Sequence, residues 1–162
     1  ASGTAIANLV AVAVQASAQI VIDAPPEEIM VVLADVGAVP LWSSVHKKAE
    51  IIDAYPDGRP HHVKVTVKVL GIVDHEVLEY HWGADWVVWD AQKTMQQHGQ
   101  HVEYRLQRVG VDKTRVQFDI TLEPSAPLPE FLVNRARKTV VRAATEGLRK
   151  QVLTAQRARR PE

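Results

Sequence analysis

The spacing of apolar residues changes twice along this chain, and the changes mark its elements. From His62 to Leu70 it alternates strictly: Val63, Val65, Val67 and Val69 point one way, and Lys64, Thr66 and Lys68 point the other. Weaker two-residue periods run through 15–22, 46–54, 72–82, 86–91, 102–108 and 115–123, so seven strands are predicted. Strands with one apolar face belong to an antiparallel sheet that is wet on the other side. Between the first two strands, Asp23-Ala24-Pro25-Pro26-Glu27-Glu28 opens a helix with prolines and acids in its first turn. Gly37 ends it, and Val39-Pro40-Leu41-Trp42 makes a second short helical turn. From Leu128 to Leu153 the period becomes helical: Val133, Ala136, Val140, Ala144, Gly147 and Leu148 share one stripe, opposite Arg135, Lys138, Arg142, Glu146 and Arg149. That helix spans ~39 Å at ~1.5 Å per residue, enough to cross a small domain.

The resulting class is α+β. A one-sided sheet and one long amphipathic helix bury their apolar faces together when the sheet curls around the helix. A curved sheet and a straight rod do not match along their length, so a hollow is expected between them. Leu78, Tyr80 and Trp82 share the inward parity of the fourth strand. If it holds back to Ile72, Asp74 and Glu76 also face inward, unless a bulge intervenes near Val73. Arg137 falls within the helix's apolar stripe. Either its stem lies on the core with its head in water, or its guanidinium looks into the hollow and pairs with a carboxylate there.

Composition narrows the function. Nineteen basic residues balance nineteen acidic ones among 162, so no global field recruits nucleic acid or an anionic membrane. The C-terminal helix is locally basic but has no interleaved aromatics on its charged face, and nucleic-acid binding is not expected. The absence of cysteine removes disulfides, thiolate metal sites and a thiol nucleophile. No apolar run approaches the ~20 residues that span a bilayer. The opening segment looks superficially like a secretory signal, yet it lacks a basic leading region, and cleavage near Ala18 would cut the first strand. Residues 1–14 are expected to form a mobile or loosely docked extension, 15–156 one domain and 157–162 a basic tail, in a cytoplasmic protein.

Three segments carry a family resemblance: IVIDAPPEEIMVVLADVGAVPLW (20–42), DGRPHHVKVTVKVLGIVDHEV (57–77) and RVQFDITLEPSAPLPEFLVNRARKTVVRAATEGLRKQV (115–152). Over roughly residues 15 to 153 the chain resembles the START-like (SRPBCC) superfamily, in its polyketide cyclase/dehydrase and lipid-transport branch. The motifs are diffuse and include no catalytic signature. Where the family has Tyr-Pro-x-Trp, this chain has Val39-Pro40-Leu41-Trp42. The resemblance implies a helix-grip fold whose cavity holds a lipid, polyketide or similar molecule, and places Trp42 at the cavity mouth. Only some members do chemistry on what they hold.

The residues expected to line the cavity are Trp42, Val65, Val67, Leu78, Tyr80, Trp82, Trp89, Tyr104, Phe118, Val140 and Ala144, with Arg137 at a polar end of the ligand. A catalytic reading would draw on Asp74, His75, Glu76 and Arg137 as acid/base groups; a carrier, with no catalytic residues and no cofactor, is preferred. A third reading is an interaction module of the quinone- or ribosome-associated type, meeting a partner through its basic helix face. A homodimer is compatible with each. Seven histidines raise the question of a metal, but none stands in a helical ligand motif, and His61 and His62, being adjacent, are expected on opposite faces of a strand. Ser43 and Ser44 near His46 lack the strand–turn–helix elbow of a serine nucleophile and are read as cap residues.

Overall fold

The computed structural model describes residues 9–10 and 13–160. All seven expected strands form and pair antiparallel: β1 (Val14–Ile22), β2 (His46–Ala54), β3 (Pro60–Val69), β4 (Ile72–Trp82), β5 (Trp86–Ala91), β6 (Gln97–Gly110) and β7 (Lys113–Pro124). Their order across the sheet is β1-β7-β6-β5-β4-β3-β2, so β1 and β2 are its edges. The two short helices, α1 (Pro26–Ala34) and α2 (Val39–Trp42), bridge those edges and are separated by a 3-10 turn at Val36–Ala38. The expected extension, residues 1–14, lies largely outside the described residues; within it, Leu9 and Val10 pair with Pro129 and Leu128.

The C-terminal helix starts as α3 (Glu130–Arg142), widens into a π turn at Ala143–Gly147 and continues as α4 (Leu148–Arg159). It therefore runs beyond the Leu153 at which its apolar period fades. The π turn has a partner in the sheet. A π turn shifts the backbone hydrogen-bond register by one residue, which makes room for an outside donor. The buried Tyr104 hydroxyl takes that place, donating to the Ala144 carbonyl at 2.7 Å. Removing the hydroxyl leaves this buried carbonyl without its sheet donor, so Tyr104→Phe is expected to cost ~1–3 kcal/mol in urea unfolding. An unchanged midpoint would mean that the π turn holds itself.

The core is built from the parity seen in the sequence. Val63, Leu78, Val87, Val102 and Val116 are buried on the concave face, while Leu148 and Val152 enter from the helix. Tyr80 stacks on Trp89 at 4.8 Å, Trp89 tilts against Tyr104 at 5.9 Å, and Tyr104 against Phe118 at 5.1 Å. These four rings form a ladder across β4, β5, β6 and β7, each strand contributing one inward ring.

Arg137 does not look into the core. Its Nε donates to the Gln15 carbonyl at 2.9 Å and its Nη1 to Asn134 Oδ1 at 3.0 Å. Arg149 Nη2 reaches the Val21 carbonyl at 2.9 Å, and Gln156 Nε2 the Asp23 carbonyl at 3.1 Å. The helix thus sends a file of long donors down the sheet edge at β1. The alternative in which Arg137 pairs with an inward carboxylate does not occur, because the unpaired carbonyls of the edge strand are nearer and need donors.

Candidate functional site

A cavity of about 320 Å³ separates the concave sheet from α3 and the π turn. Its floor is the aromatic ladder: Tyr80, Trp89, Tyr104 and Phe118 all border it. Val65 and Val67 extend the floor along β3, Val140 and Ala144 form the helix side, and Trp42 closes one flank. Three residues expected in the lining are elsewhere. Leu78 is packed within the core beneath the cavity surface. Trp82 turns to the end of the sheet, where its Nε1 donates to the Pro60 carbonyl at 2.7 Å and Arg59 lies over its ring. Arg137 sits on the β1 edge, as described.

The inward parity of β4 does continue to its start, without a bulge. The ladder from Val63↔Leu78 to Val69↔Ile72 is unbroken, and Asp74 and Glu76 are 9% and 3% exposed. Both border the cavity. Gln97 joins them, its Nε2 donating to Glu76 Oε2 at 2.9 Å, and Thr94 Oγ1 donates to Asp74 Oδ2 at 2.9 Å. Burial, reinforced by the hydrogen bond and the like charge of Asp74, pushes the Glu76 carboxyl up to about 8, against which the Gln97 bond works. Below that pH Glu76 is a neutral acid that can donate as well as accept. His75, between them in sequence, points outward to Thr66 Oγ1 at 3.1 Å.

A second polar group stands where α2 meets β2. Ser43 is buried, and its Oγ lies 2.6 Å from His46 Nδ1; both residues line the cavity. Burial pulls His46 down to about 4, so the ring is neutral at physiological pH. With Ser43 donating to Nδ1, the ring's own proton is on Nε2. The sequence reading of Ser43 as a cap therefore misses its main contact, a side chain three residues on.

Gln97 was hidden for a different reason. Alternation counted back from Val102 and Tyr104 turns residue 97 outward, but the register shifts between Gln97 and Gly99 and brings it in. The one sign of that bulge in the sequence is Gly99 beside it. Two buried polar atoms have no partner among the described residues: Gln97 Oε1, an acceptor, and Trp42 Nε1, a donor. Both belong to cavity-lining residues. Unsatisfied buried groups cost ~1–3 kcal/mol each, and both atoms lie beneath the cavity surface rather than on it.

A family model described as polyketide cyclase / dehydrase and lipid transport matches residues 13–156. Among curated proteins no sequence matches the chain. Solved structures of the same fold are numerous. A START superfamily protein from Mycobacterium smegmatis superposes with a TM-score of 0.79 at 22% identity, covering 88% of this chain and 99% of that one. The ZhuI aromatase/cyclase from Streptomyces sp. R1128 gives 0.78 at 15% identity, covering 90% and 97%. A protein from Thermus thermophilus gives 0.74 at 19% identity, covering 87% and 98%. At such identities the likeness concerns the fold.

Proposed function

The chain belongs to the polyketide cyclase / dehydrase and lipid transport family, and on that premise we propose that it holds one small, mostly apolar molecule bearing a hydrogen-bond donor and a separate acceptor. The observation that carries this reading is an apolar ring ladder facing α3 across the cavity, with polar groups at two separate places in its lining, Asp74–Glu76–Gln97 and Ser43–His46. A ligand hydroxyl would meet the Glu76–Gln97 group and a carbonyl or ether oxygen the Nε2–H of His46, with its apolar body on the ring ladder between. The volume is at the small end of the ~300–1,000 Å³ usual for such sites, which favours a compact ring system over a long acyl chain. The mouth is apolar: Leu70, Ile72, Met95 and Leu128 border it, so a greasy ligand loses little on entry. No helix among the described residues is long and apolar enough to cross a membrane.

A second reading, a cyclase or dehydratase, draws on the neutral Glu76 beside Asp74 and on the Ser43–His46 pair. Such groups could protonate a departing hydroxyl and take up a proton from carbon, the net change being loss of water. The same experiment separates the readings. Titrating hydroxylated fused-ring ketones should quench the emission of Trp42 and Trp89. Gln97→Leu should weaken them by roughly tenfold, the worth of one hydrogen bond, while a ring lacking the hydroxyl keeps its affinity. Mass spectrometry of the bound ligand then reports carriage if its mass is unchanged, and chemistry if water has been lost. Lack of any response across a panel of aromatic polyketides, sterols and lipids, with nothing copurifying, would end both.

A further inference from the structure

At the far end of β2, β3 and β4, away from the cavity mouth, the outer face of the sheet gathers an unusual set of side chains. Asp53 comes from β2, His61 and His62 from β3, and Glu79 and His81 from β4. Alternation predicts His61 and His62 on opposite faces. Instead their ring centroids are 3.9 Å apart, and His61 also stacks on Tyr55 at 4.3 Å. The register explains the departure: Asp53 pairs with His62 and Ala54 with Pro60, so His61 is the extra, unpaired residue of a bulge on β3. The twist at this corner swings both rings to one side, where each is about 70% covered, with side-chain exposures of 28% and 29%.

The nitrogens of these rings are surrounded by acids. His62 Nδ1 lies 2.9 Å from Asp53 Oδ1, and its Nε2 lies 3.4 Å from Glu79 Oε2. His61 Nε2 is 3.1 Å from the same Glu79 oxygen, and its Nδ1 is 3.8 Å from Asp53 Oδ1. A neutral imidazole has one N–H and one lone pair. On each ring, then, one lone pair faces a carboxylate unless something positive comes between. One divalent ion shared by both rings would meet both lone pairs and the carboxylate together.

We propose that His61, His62 and Asp53 form a binding site for a divalent transition-metal ion of the zinc class, with Glu79 as the adjoining carboxylate. Asp53, His61 and His62 each offer one donor atom, and the three atoms lie within 4.8 Å of one another. Small rotations of partly exposed side chains bring such a set onto one ion at ~2.0–2.2 Å. Two imidazoles with carboxylates and no thiolate suit zinc, nickel, cobalt or copper better than magnesium or calcium. The second ring nitrogens stay within reach of a carboxylate, the arrangement that fixes tautomer and ring orientation in metal sites. His81 stands ready nearby: its Nε2 is 3.6 Å from Glu79 Oε1, while its Nδ1 faces the Tyr55 hydroxyl at 3.2 Å. The Tyr55 hydroxyl itself donates to the Tyr80 carbonyl at 2.6 Å. Because its donors come from neighbouring strands, a bound ion would clip the ends of β2 and β3 together beside Glu79 of β4.

Zinc chloride titrated calorimetrically into protein carrying no polyhistidine tag should saturate at one ion per chain. The melting temperature should rise with zinc concentration, as for any ligand that binds only the folded state, and an excess of magnesium should not compete. Asp53→Asn should weaken binding ~10–100-fold, and His61→Ala combined with His62→Ala should abolish it. Those variants alter partly exposed groups, and their melting in the absence of zinc checks that they fold. His101→Ala is the control, because His101 sits between Asp90 and Glu103 as a lone imidazole; it should bind zinc as the parent does. Absence of saturable uptake at one equivalent, or uptake that survives loss of both His61 and His62, would overturn the proposal.

Discussion

Replacing Glu76 with glutamine is expected to make the protein more stable than its parent in mild alkali. The carboxyl is held at about 8 in the folded protein against an ordinary 4.5, chiefly by burial. The folded state therefore grips this proton more tightly than the unfolded chain does. Between about 4.5 and about 8 unfolding releases a proton, so rising pH favours unfolding across that window. The accumulated loss is on the order of 4 kcal/mol once the pH exceeds about 8.

His46 works in the other direction. Its folded value, about 4, is below the ordinary 6.5, so as the pH falls from 6.5 toward 4 the unfolded chain takes up a proton that the folded protein refuses. Acid therefore costs on the order of 3 kcal/mol through that window. Between about 4.5 and about 6.5 the two slopes cancel, giving the parent a flat region bounded by a fall on either side. Glutamine keeps the shape of Glu76, accepts the Gln97 bond and cannot ionise. Urea unfolding of Glu76→Gln should lack the alkaline fall and keep the acid one, its advantage over the parent growing by on the order of 4 kcal/mol from about pH 4.5 to about pH 9. Parallel pH profiles for the two proteins would show that Glu76 ionises normally, and with it would go the neutral acid of the second functional reading.

Gly147→Ala is expected to destabilise, against the helix-propensity rule. In an ordinary helix interior alanine gains ~1 kcal/mol over glycine. Here a Cβ on residue 147 would sit 2.2 Å from the carbonyl oxygen of Trp42 and 3.3 Å from its carbon. The obstacle is backbone, so helix and α2 turn must part. The cost should exceed the propensity gain by ~1–3 kcal/mol, lowering the melting temperature by roughly 2–10 °C. Because Trp42 moves with that turn, its emission should shift in the folded variant. A rise in melting temperature would mean that the contact between helix and turn is looser than described.

Most of the frame was readable in the residues themselves, since parity and period report which face is buried. Val65 and Val67 announced the floor of the cavity, and the inward side of β4, which the residues left conditional on there being no bulge near Val73, does run back to Asp74 and Glu76. Failures gathered where a residue's fate depends on something outside its own element. The destination of Arg137 depends on the open carbonyls of β1, more than a hundred residues away. Gln97 and the His61–His62 pair are turned by irregular registers, of which Gly99 beside the first is the one sequence sign. Ser43 and His46 are three apart across a turn, a spacing that points nowhere until the backbone is known.

The donors that α3 and α4 send to Gln15, Val21 and Asp23 bear on self-association. An exposed border of a β-sheet is a template for copies of itself. One border here is already occupied by guanidinium and amide groups from the molecule's own rod, and the opposite one, at β2, carries Ile51 and Ile52 in solvent. A molecule with a single usable border has room for at most one partner by strand addition, so any such growth would stop at a two-fold pair and not become a filament.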